Sequence, residues 1–231
     1  MKVVRMVLIG AFLLLIGLST AADAFNITYG RNTTGNEFTS PYAGVTTETF
    51  EGGTPGLFTG LNWTWTGNGA VVNGDISGVA SAPFGVSTKD TSNFMSVPQN
   101  VGNMPQSVFV TNLGGTYNYF GLWWGSVDTY NTLSFYNNGT LAASFDGTAI
   151  TTPNAANGNQ TAPTTNLYVN FVGLPLFDSF KMTSTQYAFE ADNIAVGTVP
   201  EPATMLLLGL GLVGLAGARR YGKTAAGRSL P

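Results

Sequence analysis

Residues 132–145 read TLSFYNNGTLAASF, and this stretch decides the fold class. Leu133 and Phe135 alternate with Ser134 and Tyr136, the period-2 pattern of a strand with one buried face. Asn138-Gly139 follows, and a second strand pattern runs from Leu141 to Phe145. Asn tolerates positive φ and Gly accepts it freely, so the pair suits a two-residue type I′ turn. The pattern predicts a hairpin with Leu133, Phe135, Leu141, Ala143 and Phe145 toward a core. Ser134, Tyr136 and Ser144 should face out.

The same punctuation extends in both directions. β-branched and aromatic residues alternate with polar ones, and Gly, Asn, Asp or Pro interrupt them at short intervals. Before the hairpin, strands are predicted at Thr46–Glu51, Asn62–Thr66, Asn93–Val97, Ser107–Thr111 and Tyr117–Trp124. The hairpin itself supplies Thr132–Tyr136 and Thr140–Phe145. After it come Leu167–Val172, Ser179–Ser184 and Ala188–Val196. The segment 151–165 is poor in apolar residues and reads as a surface loop. No long amphipathic helix interrupts this pattern. The expected fold is all-β, an antiparallel β-sandwich of jelly-roll-like type.

Both ends differ from this core. Lys2 and Arg5 precede an apolar run from Met6 to Leu18, and Ala22-Asp23-Ala24 places small residues where signal peptidase reads them. Residues 1–24 therefore read as a signal peptide, helical in its apolar part and cut after Ala24. At the other end Pro200-Glu201-Pro202 precedes an uncharged run from Ala203 to Ala218, closed by Arg219-Arg220. As a helix that run is about 24 Å long. That is near the lower limit for a bilayer core of about 30 Å. The basic residues behind it favour a cytoplasmic C-terminus. The expected organisation is an exported domain over 25–199, a sorting segment with a transmembrane helix over 200–220, and a basic cytoplasmic tail over 221–231.

The exported segment holds Arg31, Lys89 and Lys181 against ten carboxylates, a formal charge of −7. Such a surface does not attract nucleic acid. There is no cysteine, so no disulfide contributes. There is no histidine, which removes the Ser-His-Asp and Cys-His devices of nucleophilic catalysis. Five Asn-x-Thr triplets, at Asn26, Asn32, Asn62, Asn138 and Asn159, follow from the abundance of Asn and Thr.

Pro200-Glu201-Pro202, the apolar run and Arg219-Arg220 together resemble the PEP-CTERM sorting signal of exported bacterial proteins. The resemblance implies exosortase as a processing partner besides signal peptidase. It also implies transient insertion in the inner membrane and a final place at the cell surface or outside the cell. The tail after Arg220 is longer than that pattern leads one to expect. A second resemblance lies in residues 119–147. There a Gly-aromatic strand (Gly121, Trp123, Trp124, Gly125) precedes Ser126-x-Asp128-x-Tyr130-Asn131 and the hairpin. This order, with FEADNIAV at 189–196, is similar to a group of exosortase-dependent surface proteins, and it implies the same sandwich.

Three functions compete. A non-enzymatic surface or matrix protein associated with extracellular polysaccharide is the first. A carbohydrate-binding module is the second, with Trp63, Trp65, Trp123 and Tyr130 as candidates for stacking on sugar rings. Alternation puts Trp63 and Trp65 on one side of a strand and sends Trp123 and Trp124 to opposite faces, one of them core. A glycoside hydrolase is the third. It needs two carboxylates about 5–10 Å apart in a cleft, and no spacing in the sequence announces such a pair. Jelly-roll carbohydrate-binding modules also commonly hold a structural Ca²⁺ between their first and last strands. Glu51, Glu190 and Asp192 are the carboxylates positioned for one, with Glu190 and Asp192 on one strand face. The alternative is that Glu190 and Asp192 simply face solvent, opposite Phe189 and Ala191 in the core.

Overall fold

The computed structural model describes residues 25–52, 61–150, 156–199 and 209–214. The signal-peptide assignment with Ala22 and Ala24, the motif residues Pro200, Glu201, Pro202, Arg219 and Arg220, and the tail 221–231 lie outside the described residues.

Among the described residues fourteen strands form two main antiparallel sheets and a small hairpin. In chain order they are β1 (Asn26–Thr28), β2 (Asn32–Thr34), β3 (Glu37–Thr39), β4 (Thr46–Glu48), β5 (Thr64–Gly67), β6 (Ala70–Asn73) and β7 (Asn93–Val97). Then come β8 (Gln106–Thr111), β9 (Tyr117–Gly125), β10 (Asn131–Asn137) and β11 (Thr140–Asp146). One helical turn, α1 (Gly147–Ile150), precedes β12 (Leu167–Phe177), β13 (Ser179–Ser184) and β14 (Phe189–Gly197). The larger sheet runs β1-β12-β9-β14-β7-β6, with β4 also on β14; the smaller runs β11-β10-β13-β8-β5. From β7 to β10 and from β11 to β14 the chain changes sheet at every step, so consecutive strands face each other across the core.

The ten predicted strands all appear, most with ends displaced by a residue or two. The largest change is in β12, which runs on to Phe177, five residues past the predicted end. Strands β1, β2, β3 and β6 have no counterpart in the sequence reading. They are three or four residues long, which leaves alternation little to register.

The core lies between the sheets. Phe120, Leu122 and Trp124 of β9 meet Leu133 and Phe135 of β10 and Phe180 and Met182 of β13 there. Phe120 packs edge-on against Phe180 and Phe135, with centroids 4.8 and 5.1 Å apart. Asn138 and Gly139 take φ of 48° and 76°, the positive pair that a type I′ turn requires. Register departs from expectation on one strand. The pairing shifts between Phe135, opposite Ala143, and Tyr136, opposite Leu141. This bulge leaves Ala142 extra and rotates Leu141 onto the Tyr136 face, where it is 56% exposed. Leu133 and Phe135 are buried and Phe145 packs against the core as expected, but Ser134 is also buried, its hydroxyl 2.9 Å from that of Ser144.

Residues 209–214 are helical, and Leu210, Leu212 and Val213 within them are exposed. No helix among the described residues is long and apolar enough to cross a membrane. The transmembrane helix expected over 203–218 is therefore unsupported, because only its middle turns are described.

Candidate functional site

Strand β14 carries the chemistry. Its alternation sends Phe189 and Ala191 into the core, where Phe189 stacks on Trp124 at 4.3 Å and 11°. Glu190 and Asp192 go to the opposite face, as the period requires. That face is not open. The loop between β6 and β7 covers Glu190, and the β2–β3 hairpin covers the region of Asp192. Glu190 and Asp192 are 2% and 1% exposed, which overturns the solvent-facing alternative.

Glu190 accepts hydrogen bonds from Ser81 N at 3.0 Å and from Ser126 Oγ at 2.9 Å. Burial outweighs both bonds and pushes its carboxyl up to about 7. Beside it lies a cavity of about 350 Å³ lined by Ser81, Ser126, Asp128, Tyr130, Tyr187 and Glu190, with Gly158 and Gln160 at its edge. Burial likewise raises the Asp128 carboxyl, and the neighbouring Tyr130 hydroxyl opposes the shift. The Tyr130 hydroxyl donates to the Tyr187 carbonyl at 2.8 Å, and burial raises its pKa, with Asp128 and Glu190 adding to the shift. Ser126, Asp128 and Tyr130 come from the turn after β9, so the turn motif and FEADNIAV meet in one place.

Asp192 occupies a different setting. Its partner Trp123 on β9 is the last before an irregularity that runs to Ala195, and Asn193 has a φ of 48°. There β14 exchanges its other neighbour, from β7 at Phe189–Ala191 to β4 at Ile194–Val196. Asp192 Oδ1 accepts from Asn193 N at 2.6 Å. Burial raises its carboxyl well above the usual range, and Asp90, Glu37 and Glu51 push it further. Asp90 is itself buried, and its Oδ2 has no hydrogen-bond partner. Glu51 is exposed and accepts from Asn93 N at 2.6 Å. The carboxylates considered for calcium thus divide. Glu190 faces the cavity, while Asp192 and Glu51 belong to the neighbouring acidic region. Among the described residues no group of three or more His, Cys, Asp or Glu is placed to hold a metal ion.

The aromatic candidates divide as well. Trp63 and Trp65 share a side of their strand, and that side is the core: both meet Phe180 edge-on at 6.1 Å. Trp123 and Trp124 point to opposite faces, yet both are fully buried, because Phe38 and Tyr168 cover Trp123 on the outer face. Trp63 and Trp123 therefore have no free ring face for a sugar; the large aromatic surfaces go to packing. Trp65 is half-buried against the core. Tyr130 lines the cavity beside Glu190. Ser81, Asp90, Glu37 and Gln160 gave no sign in sequence. Ser126 and Asp128 were marked only by the turn motif, which was the available signal for this site.

Comparison with curated proteins gives no match. Among solved structures the chain is similar to the K2 cleaved adhesin domain of Lys-gingipain, at 14% identity and a TM-score of 0.33 over 68% of this chain and 99% of that one. Residues 198–220 match the PEP-CTERM protein-sorting motif, immediately after the last strand of the sandwich. The motif implies processing by exosortase and export to the cell surface, and the protein is accordingly a β-sandwich that carries a PEP-CTERM sorting signal.

Proposed function

We propose that this is a non-enzymatic surface or extracellular-matrix protein whose jelly-roll-like domain associates with extracellular polysaccharide. One observation carries the reading: a sorting motif at 198–220 is joined directly to a sandwich whose last strand ends at Gly197. Signal peptidase and exosortase would trim the two ends. Glu201 and Pro202 are the residues whose deletion tests the sorting. The deletion variant should remain in the inner membrane with its C-terminal tail attached. Normal processing and release of that variant would overturn the reading.

Structural calcium remains part of this proposal, at Glu51 and Asp192 between β4 and β14. Two features favour it: the buried Asp192 carboxyl and the unpartnered, buried Asp90 Oδ2 beside it. Hard oxygen ligands of this kind suit Ca²⁺, with backbone carbonyls completing the set.

A further inference from the structure

We propose that the cavity beside Glu190 binds a hydroxylated ligand bearing a cationic amine, the chemistry of an amino-sugar residue. This deepens, and rests on, the polysaccharide reading. The volume of about 350 Å³ is near the small end of ligand pockets and suits one sugar residue rather than an oligomer.

Charge decides the class of ligand. Asp128 and Glu190 both line the cavity, and no Lys or Arg lines it. Lys89 reaches this wall only through a 2.8 Å hydrogen bond to Ser81 Oγ, and its charge is already paired with Asp75 at 2.7 Å. Two carboxylates facing a partly dry space favour a positive partner, and charge-assisted hydrogen bonds are the strongest available to them. Each Glu190 oxygen accepts one hydrogen bond, Oε1 from Ser81 N and Oε2 from Ser126 Oγ. A carboxylate has about four acceptor sites, so capacity remains for an ammonium donor. The remaining lining matches the rest of a sugar. The rings of Tyr130 and Tyr187 supply apolar surface with a negative face, which accepts both C–H groups and a cation. The Tyr130 ring is held in place by its bond to the Tyr187 carbonyl. Gln160, exposed at the rim, has both donor and acceptor for hydroxyl groups. A bare divalent cation fits less well, since Ca²⁺ takes about six to eight oxygens and much of this lining is apolar or aromatic, from Ile76, Val79, Ala80, Tyr130 and Tyr187.

The test is an amide NMR titration of the full chain in mild detergent with glucosamine, glucose, N-acetylglucosamine and CaCl₂ in turn. Glucosamine should shift the Ser81 and Gly158 amides and bind at least about tenfold more tightly than the two neutral sugars. Asp128→Asn and Glu190→Gln should each weaken glucosamine about tenfold and bring it level with glucose. Gln160→Ala, at the exposed rim, should weaken all three sugars together and serves if either core variant fails to fold. Equal affinity for glucosamine and glucose, shifts confined to other residues, response to CaCl₂ alone, or no binding would each overturn the proposal. Retention of the wild-type chain on its native polysaccharide, measured in parallel, separates the two readings. Retention without glucosamine binding sinks the cavity assignment only; loss of both sinks the polysaccharide reading too.

Discussion

The Ser126 hydroxyl donates to the Glu190 carboxylate at 2.9 Å, across 64 residues of sequence. This bond joins the turn after β9 to β14, and the peptide N–H of Ser81 completes the Glu190 environment from a third segment.

Glu190 makes stability depend on pH. Its folded carboxyl, at about 7, lies above its ordinary value of 4.5. Between those values the native state holds more protons than the unfolded chain. The associated stability is fully present below pH 4.5 and is lost as pH rises through about 7. The difference amounts to about 3 kcal/mol. Asp128 and Tyr130 face the same cavity, and Asp128, Asp192 and Glu48 are shifted in the same direction, so the wild-type slope is steeper still. Glu190→Gln keeps an acceptor for Ser81 N and removes the titration. Melting temperatures from pH 5 to pH 8 should show a shallower slope for this variant and a higher value at pH 8 than wild type. Parallel profiles would disprove the assignment.

Calcium should stabilise the fold by mass action if Asp192 helps to hold it. At a hundredfold excess over its dissociation constant the gain is about 2.7 kcal/mol. Asp192→Ala should abolish the rise in melting temperature. Identical melting curves in EDTA and in millimolar Ca²⁺ would return Asp192 and Glu51 to purely structural roles.

Gly139→Val isolates backbone strain. A Cβ added at Gly139 meets nothing within 4 Å, so packing is untouched. The cost comes from placing a β-branched residue at a φ of 76°. Chemical denaturation should show a loss of about 1–3 kcal/mol. A variant as stable as wild type would mean that the turn has changed type.

The stacked pair Trp124–Phe189 ties β9 to β14 inside the core. Phe189→Ala should cost about 3–5 kcal/mol. Because the rings touch, Trp124→Ala and Phe189→Ala should be non-additive, with a coupling of about 0.5–1.5 kcal/mol in a double-mutant cycle. Strict additivity would show that the two rings contribute only through area.

Local chemistry was legible in the chain itself. Period-2 alternation announced ten of the strands, Asn138-Gly139 announced its turn, and Pro200-Glu201-Pro202 with its apolar run announced the sorting signal. Each of these depends on neighbours a few residues apart, so the order of residues suffices. The bulge at Ala142 lay beyond that reach, since it depends on how β10 and β11 settle against each other, and it exposed Leu141. Burial on the far side of the larger sheet was equally non-local. Alternation correctly put Glu190 and Asp192 on one face, yet only the folded chain lays Ser81 and the β2–β3 hairpin over that face. The same covering buries Trp123, which an open sheet would have displayed. Strand period states which side a residue takes; whether that side meets water depends on segments that arrive from about a hundred residues away, and only the tertiary structure decides that.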